Sequence, residues 1–146
     1  MTFKEIIKSN KGTSLVLVAA LTVVIVALTV ALRVAAGMIM ASANTQLNQD
    51  QAYELAVSLG DTLEEKILNP NKSNGDNTCL ELVPGTELVN MSGFDGMPDA
   101  SVVANVSKDD QGRFVLTITS KVGKATYIWT GTYKGSKNEG YKKINL

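Results

Sequence analysis

The sequence predicts an α+β fold in which one long N-terminal helix packs on a small antiparallel β-sheet. Residues 14–32 carry no charge, residues 46–68 place apolar side chains at three- and four-residue intervals, and residues 101–134 largely alternate apolar and polar side chains. Side chains repeat about every 3.6 residues in a helix and every second residue in a strand. We therefore expect the helix first and the sheet after it.

Residues 14–32 are numerous and apolar enough to cross a membrane. These nineteen residues would span about 29 Å as a helix, close to the thickness of a bilayer's hydrocarbon core. They include five Leu, six Val and one Ile, which favour membrane insertion by about 5 kcal/mol. Arg33 follows directly and can extend its guanidinium to the lipid headgroups. The side chains expected to face lipid, or later a neighbouring helix, are Leu15, Leu17, Leu21, Ile25, Leu28 and Leu32.

A short basic leader precedes this apolar stretch. It is twelve residues long, contains three lysines and one glutamate, and ends at Gly12. The residues at the junction are Lys11, Gly12, Thr13, Ser14 and Leu15. The junction resembles the processing site of type IV prepilins, the precursors of pilus and pseudopilus subunits. In that family a basic leader ending in Gly is followed by small or hydroxylated residues and then by a long apolar helix.

The resemblance implies three segments, a processing step and a set of partners. Residues 1–12 would be a leader that a prepilin peptidase removes, and Thr13 would become the N-methylated N-terminus. Residues 13–43 would form the transmembrane and filament-core helix, and residues 44–146 a pilin-like α+β head. The subunit would wait in the lipid bilayer and then join other pilin subunits, identical or different, through a membrane assembly platform with a separate ATPase.

One residue departs from the family pattern. Pilins usually carry Glu at the fifth position of the mature chain, where it is thought to neutralise a neighbouring subunit's N-terminal amine, and here that position is Leu17. Minor subunits at a filament tip have no neighbour ahead of them and sometimes lack this Glu. The resemblance therefore favours a minor or initiating pilin over the major one. It leaves open whether the filament serves adhesion, motility, DNA uptake or secretion.

The distribution of charge predicts the orientation in the membrane. The chain has 14 basic and 14 acidic residues, so no strong net charge favours a nucleic-acid partner. The three leader lysines predict a cytoplasmic N-terminus, with the head outside and later in a cell-surface filament. Four lysines near the C-terminus could contact DNA or another anionic surface, but a solvated chain end is the favoured interpretation. These are Lys134, Lys137, Lys142 and Lys143.

The apolar stripe in residues 46–68 predicts that the helix continues beyond the membrane and lies on the head. Its members are Leu47, Ala52, Leu55, Ala56, Leu59, Leu63 and Ile67. Pro70 should end the helix, because proline disfavours helical geometry at the residue before it. Gly37 and Gly60 are the expected bends. Residues 69–78 contain no apolar side chain and many turn formers, which predicts a surface loop.

Alternating apolar and polar side chains predict three strands of an antiparallel meander, at residues 101–107, 113–121 and 125–134. Shorter β-like runs occupy residues 79–83 and 86–91. Residues 92–100 are expected to form a loop, and residues 135–146 either a solvated tail or a final edge strand through residues 144–146.

The third predicted strand could bury either of its faces. Tyr127, Trp129 and Tyr133 share one face and Ile128 lies on the other. We expect the aromatic face to be buried because Trp and Tyr bury more area than the threonines opposite. The residues expected to join the helix to the sheet are Leu55, Leu59, Leu63, Ile67, Phe114, Leu116, Ile118 and Trp129.

The residue types argue against an enzyme. The chain has no histidine, which excludes Ser-His-Asp and Cys-His catalysis and histidine-bound metals, and no G-x-x-x-x-G-K-[ST] phosphate loop. The acidic pairs at residues 64–65 and 109–110 fit solvated positions, and residues 95–99 fit a turn better than a calcium loop. Cys79 fits a small buried residue better than a thiol that joins subunits. We expect no catalytic, cofactor or metal site.

A second function class remains open, namely a secreted or single-pass membrane-anchored binding module. Its support is Ala41-Ser42-Ala43, a small-x-small pattern after which a signal peptidase could cut to release a domain beginning at Asn44. Against it, the apolar region is about twice the usual length of the apolar part of a signal peptide. The Gly12 junction would also be a coincidence.

Overall fold

The computed structural model describes residues 10–69 and 79–145, in which one helix precedes five strands. In chain order the elements are α1 (Asn10–Leu68), β1 (Glu87–Phe94), β2 (Met97–Lys108), β3 (Phe114–Val122), β4 (Ala125–Ser136) and β5 (Gly140–Ile144). Residues 1–9 of the predicted leader and residues 70–78 of the predicted loop lie outside the described residues. Contacts divide the chain into two units, Met1–Asn44 and Thr45–Leu146. We call the second unit the head. The predicted α+β class is confirmed.

In the head, helix α1 buries one stripe of side chains against the sheet. The buried and partly buried members of this stripe are Ala52, Leu55, Ala56, Leu59, Leu63 and Ile67. Leu47 was predicted to belong to the stripe, and this was wrong, because its side chain is 53% exposed. Asn48 lies against Gly123 in the turn after β3. Leu47 precedes that contact and therefore stays in solvent.

The C-terminal end of α1 is held by the chain that returns to it. The helix ends at Leu68, as predicted from the following Asn-Pro pair. The backbone N–H of Leu80 donates to the carbonyl of Lys66 at 3.2 Å, and the thiol of Cys79 donates to the carbonyl of Ile67 at 2.7 Å. The last carbonyls of a helix have no partner within it. Residues 79–80 therefore cap α1.

The five strands form one antiparallel sheet in the order β1-β2-β3-β4-β5. Consecutive strands are neighbours throughout, so the sheet is a simple meander. The register pairs Ala104 with Ile118 across β2 and β3, and Ile118 with Trp129 across β3 and β4. These residues share the face that packs on α1. The three strands predicted from alternation correspond to β2, β3 and β4.

The N-terminal part of the sheet differs from the prediction. Residues 92–100 were expected to be a loop, but β1 runs to Phe94 and β2 starts at Met97, with only Asp95 and Gly96 between them. Gly96 has φ of 76°, and Asp-Gly is a favoured pair for a two-residue hairpin turn because both positions need positive φ in such turns. Residues 79–83 were expected to be a strand and form none. The hydrogen bond from Leu82 N–H to the Tyr141 hydroxyl replaces strand pairing there.

The C-terminal segment is an edge strand and not a tail. Strand β5 pairs with β4 from Gly140 to Ile144, so it begins four residues before the predicted edge strand. Tyr141 is buried and its ring meets the ring of Phe114 edge to face at 5.7 Å between centroids. Leu146 lies outside the described residues. One inward-facing aromatic side chain thus fixes a strand that is otherwise rich in lysine.

The prediction that β4 buries its aromatic face is confirmed. Tyr133 is fully buried, Tyr127 and Trp129 pack against the core, and Ile128 on the other face is 58% exposed. Of the residues expected to join helix and sheet, seven lie in or against one core cluster: Leu59, Leu63, Ile67, Phe114, Leu116, Ile118 and Trp129. Leu55 packs against a second cluster, formed by Ala52, Ala100 and Val122.

Gly60 marks a close approach of α1 to the sheet. A Cβ atom at this position would lie 2.9 Å from Cδ2 and Cε2 of Trp129, which is inside van der Waals contact. Helix α1 runs through Gly60 and Gly37 without a break in its assignment. The close approach of the indole gives a physical reason for glycine at residue 60, whereas the predicted bends at Gly37 and Gly60 stay predictions.

Gly60→Ala should destabilise the head by about 1–3 kcal/mol, because the added methyl group overpacks the indole contact. Alanine normally stabilises a helix over glycine by about 1 kcal/mol, so the sign of the change tests the contact. The free energy of unfolding is measured by chemical denaturation of the full chain in detergent. Unfolding is monitored by the fluorescence of Trp129, the single tryptophan. Gly37→Ala is the control, since a Cβ there meets nothing within 4 Å, and it should cause no loss.

Candidate functional site

The candidate functional site is the apolar part of α1 within the first unit. Helix α1 is long and apolar enough to cross a membrane. The side chains predicted to face lipid or a neighbouring helix are all more than half exposed: Leu15, Leu17, Leu21, Ile25, Leu28 and Leu32. Valines between them are exposed to a similar degree. This part of the helix therefore presents apolar side chains on every side, which is typical of a helix whose surroundings are lipid or other helices.

Two threonines in this stretch are satisfied inside the helix. The hydroxyl of Thr22 donates to the carbonyl of Val18 at 2.8 Å, and the hydroxyl of Thr29 donates to the carbonyl of Ile25 at 2.8 Å. Backbone polar groups are bonded within the helix as well. Hydrocarbon offers no hydrogen-bond partner, so a chain that crosses it must satisfy its polar groups internally. The two threonines are therefore compatible with lipid.

The residues of the predicted processing junction are placed only in part. Lys11, Gly12 and Thr13 fall within the bounds of α1, but their side chains lie outside the described residues. Ser14 and Leu15 are exposed. Cleavage after Gly12 and methylation of Thr13 therefore stay predictions from the sequence.

A polar cluster joins α1 to the far strands of the head. The carboxylate of Glu64 accepts hydrogen bonds from Lys143 Nζ at 2.7 and 2.8 Å, and Tyr133 Oη donates to it at 3.4 Å. Lys143 Nζ also lies 5.8 Å from the ring centroid of Trp129. Glu64 and Lys143 were both predicted to be solvated. Lys143 is exposed, whereas Glu64 is partly buried, and the two side chains pair. No local pattern relates residues 79 positions apart.

The stability of the head should decrease in alkaline solution, through Tyr133. Burial, and next the negative charge of Glu64, raise the pKa of Tyr133 above its ordinary value of 10.0. The unfolded chain loses this proton near pH 10 while the folded head keeps it, so the free energy of unfolding falls as the pH rises above about 10. Tyr133→Phe should flatten this decline, whereas Tyr53→Phe, at an exposed position, should preserve it. Denaturant titrations of the full chain between pH 8 and pH 11 measure both slopes.

Cys79 is buried and serves the packing of the head. Its side chain is 5% exposed and belongs to the main core cluster. Burial raises the pKa of the Cys79 thiol, which disfavours the reactive thiolate. These observations support the predicted role as a small buried residue over a link between subunits.

The acidic groups singled out in the sequence do not assemble a site. No group of three or more metal-ligating side chains occurs within residues 10–69 and 79–145. Asp109 closes its own turn, accepting from the backbone N–H groups of Gln111 and Arg113 and pairing with the Arg113 guanidinium at 2.6 Å. Those contacts, led by the backbone hydrogen bond from Arg113, lower the pKa of Asp109. Asp95 lies in the β1–β2 turn described above.

Two of the four C-terminal lysines are paired with carboxylates. Lys143 binds Glu64, and Lys137 lies 3.3 Å from Glu81. Lys134 and Lys142 are exposed and stand opposite each other on β4 and β5. The cluster is therefore partly neutralised, and a nucleic-acid partner gains no support.

Comparisons with protein-family models, with characterised proteins and with solved structures find no match for this chain. The resemblance to prepilins thus rests on residues 11–15 and on the order of a long apolar helix before a small sheet. The fold agrees with that order. Within residues 10–69 and 79–145, the apolar part of α1 is the region whose residues point to a specific physical role, that of a helix able to cross a membrane.

Proposed function

We propose that this protein is a pilin-like structural subunit that is stored in a membrane by the apolar part of α1 and then assembled into a filament through the same helix. The observation that carries the proposal is the run of exposed apolar side chains that begins directly after the Gly12 junction. A helix of this kind needs apolar surroundings, and a prepilin uses lipid first and neighbouring helices later. The α+β head would then form the filament surface.

Moving the apolar helix from lipid into a filament costs little free energy if neighbouring helices cover the same apolar surface. Leaving lipid exposes apolar area only if nothing replaces the lipid tails. Close packing of helices does replace them, and small residues permit it because backbones can approach closely. The small residues of this stretch are Ala19, Ala20, Ala27, Ala31, Ala35, Ala36 and Gly37. Movement from bilayer to filament therefore needs no change in the helix itself.

Leu17 supports a minor or initiating subunit. A carboxylate at this position would offer a contact to the N-terminal amine of the subunit ahead, and a leucine offers none. A subunit that begins a filament has no subunit ahead of it. We therefore place this protein at the start of a pilus or pseudopilus, with a prepilin peptidase, an assembly platform and a separate ATPase as its processing and assembly partners.

Fractionation of the native cells tests the proposal. The protein should be found in the membrane fraction and, in smaller amount than the major subunit, in filaments sheared from the cell surface. Gly12→Val should block cleavage and keep the 146-residue chain in the membrane, whereas Ser14→Ala should be processed normally. A copy number equal to that of the most abundant filament subunit would contradict the minor role. Absence from filaments would contradict the assembly role.

A secreted or membrane-anchored binding module is the second candidate. Ala41-Ser42-Ala43 supports it as a possible signal-peptidase site, and the boundary between the two units of the chain falls directly after Asn44. Cleavage there would release the head without its apolar helix. Recovery of a soluble fragment beginning at Asn44 from the medium would favour this candidate over the filament subunit.

A further inference from the structure

Arg33 is the one charged residue between Ser14 and Gln49. The exposed apolar surface does not end at this residue. Val34 is 53% exposed, and Met38, Ile39 and Met40 are each about 70% exposed. Arg33 is thus a single charge with exposed apolar side chains both before and after it in α1.

No partner for this charge occurs in the described part of the chain. Among residues 10–69 and 79–145, no hydrogen bond or ion pair involves the Arg33 guanidinium. In a bilayer the side chain can extend to lipid phosphate. When the helix leaves the bilayer and packs among other helices, phosphate and water are both withdrawn. A charge in such surroundings is tolerated when a carboxylate pairs with it.

A second copy of this chain cannot provide that carboxylate from the same helical stretch. Residues 14–49 contain no Asp and no Glu. The nearest acidic residue toward the N-terminus is Glu5, which lies in the leader that the proposed peptidase would remove. The nearest toward the C-terminus is Asp50, in the head. Identical helices packed along their apolar parts would bring Arg33 only to uncharged side chains or to another Arg33.

We propose that Arg33 pairs with an aspartate or glutamate in the apolar helix of a different membrane subunit. The guanidinium can bind both oxygens of a carboxylate at once, which gives such a pair directional specificity as well as attraction. The inference rests on the proposed function, because it applies once the helix packs with others. If this pairing occurs, the apolar part of α1 packs against a different protein. That partner would have an acidic residue within its own apolar helix.

Energy transfer in lipid vesicles tests this pairing. The full chain, with a donor dye at its C-terminus, is reconstituted in phosphatidylcholine vesicles with an acceptor-labelled polyleucine transmembrane peptide. The peptide carries one Glu at the depth of Arg33, and a matched peptide carries Gln. The Glu peptide should bind about tenfold more tightly than the Gln peptide. Arg33→Gln should abolish this preference, and Arg33→Lys should retain part of it.

The other outcomes separate this inference from the proposed function. Equal binding of the two peptides by a chain that has inserted would overturn the inference and leave the membrane helix intact. Stronger self-association than peptide binding, reduced by Asp50→Asn, would identify a second copy as the partner and also overturn it. Loss of the Glu preference on adding phosphatidylglycerol would show that Arg33 prefers an anionic lipid headgroup to the carboxylate, and this too would overturn the inference. Failure of the chain to insert would overturn the proposed function itself.

Discussion

Replacing Ile118 with alanine is expected to lower the free energy of unfolding of the head by about 2–5 kcal/mol. Ile118 is fully buried at the centre of the sheet, with Ala104 and Trp129 as its cross-strand neighbours. Truncation removes three carbon atoms from a place where the surrounding backbone is fixed by strands on both sides. The cavity that remains cannot collapse fully, so its cost adds to the lost burial.

Ile128→Ala is the matched control for this substitution. Ile128 is the same residue type on the neighbouring strand, but it lies on the opposite face and is 58% exposed. Its replacement should lower the free energy of unfolding by less than about 1 kcal/mol, mainly because branched side chains favour strands more than alanine does. Denaturant titration of both variants, monitored by Trp129 fluorescence, measures the difference. Equal losses at the two positions would contradict the assignment of the inner face.

Replacing Val23 with aspartate is expected to reduce membrane insertion by about 3 kcal/mol. Val23 stands at the middle of residues 14–32 and is 69% exposed. An aspartate at the centre of a transmembrane helix is strongly disfavoured, because neither water nor a headgroup is within reach. The ratio of inserted to non-inserted chain should fall about a hundredfold. Alkaline extraction of membranes, or a membrane-insertion assay, measures this ratio.

Val83→Asp is the control for the effect of charge alone. Val83 is 44% exposed and lies in the head, between α1 and β1. The same substitution there should leave insertion unchanged. If Val23→Asp inserted as well as the unmodified chain, residues 14–32 would not be the membrane-spanning segment.

The elements with strong periodicity could be predicted from the sequence. Strands β2, β3 and β4 alternate because every second side chain on them enters the core, as at Leu116 and Ile118. The end of α1 was predicted because the Asn-Pro pair acts locally on the backbone. The strands and the helix end depend on residues that are close together along the chain, so they can be predicted from a single sequence.

The edge strands could not be predicted in the same way. Strand β1 has two adjacent partly buried residues, Leu88 and Val89, and its register shifts next to them, so no alternation is visible. The turn signal at Asp95-Gly96 was present and was interpreted as part of a longer loop. Strand β5 buries one aromatic side chain, Tyr141, among lysines. Edge strands have less core to face, and their pattern is correspondingly weak.

The long-range contacts of the head were missed for a different reason. The approach of Trp129 to Gly60 and the pairing of Lys143 with Glu64 depend on how the sheet is placed on the helix. That placement follows from the packing of the whole core and leaves no mark on local sequence. The candidate functional site, in contrast, is one continuous helix segment, and its apolar character could be predicted completely from composition.

Mass spectrometry of the N-terminus of the protein from native cells tests the central claim most directly. The claim is that one apolar helix anchors the subunit in lipid and later packs within a filament, which requires that the helix remain attached to the head. The expected result is a chain that begins at N-methylated Thr13 and still carries the head. A soluble chain beginning at Asn44, without residues 13–43, would contradict the claim.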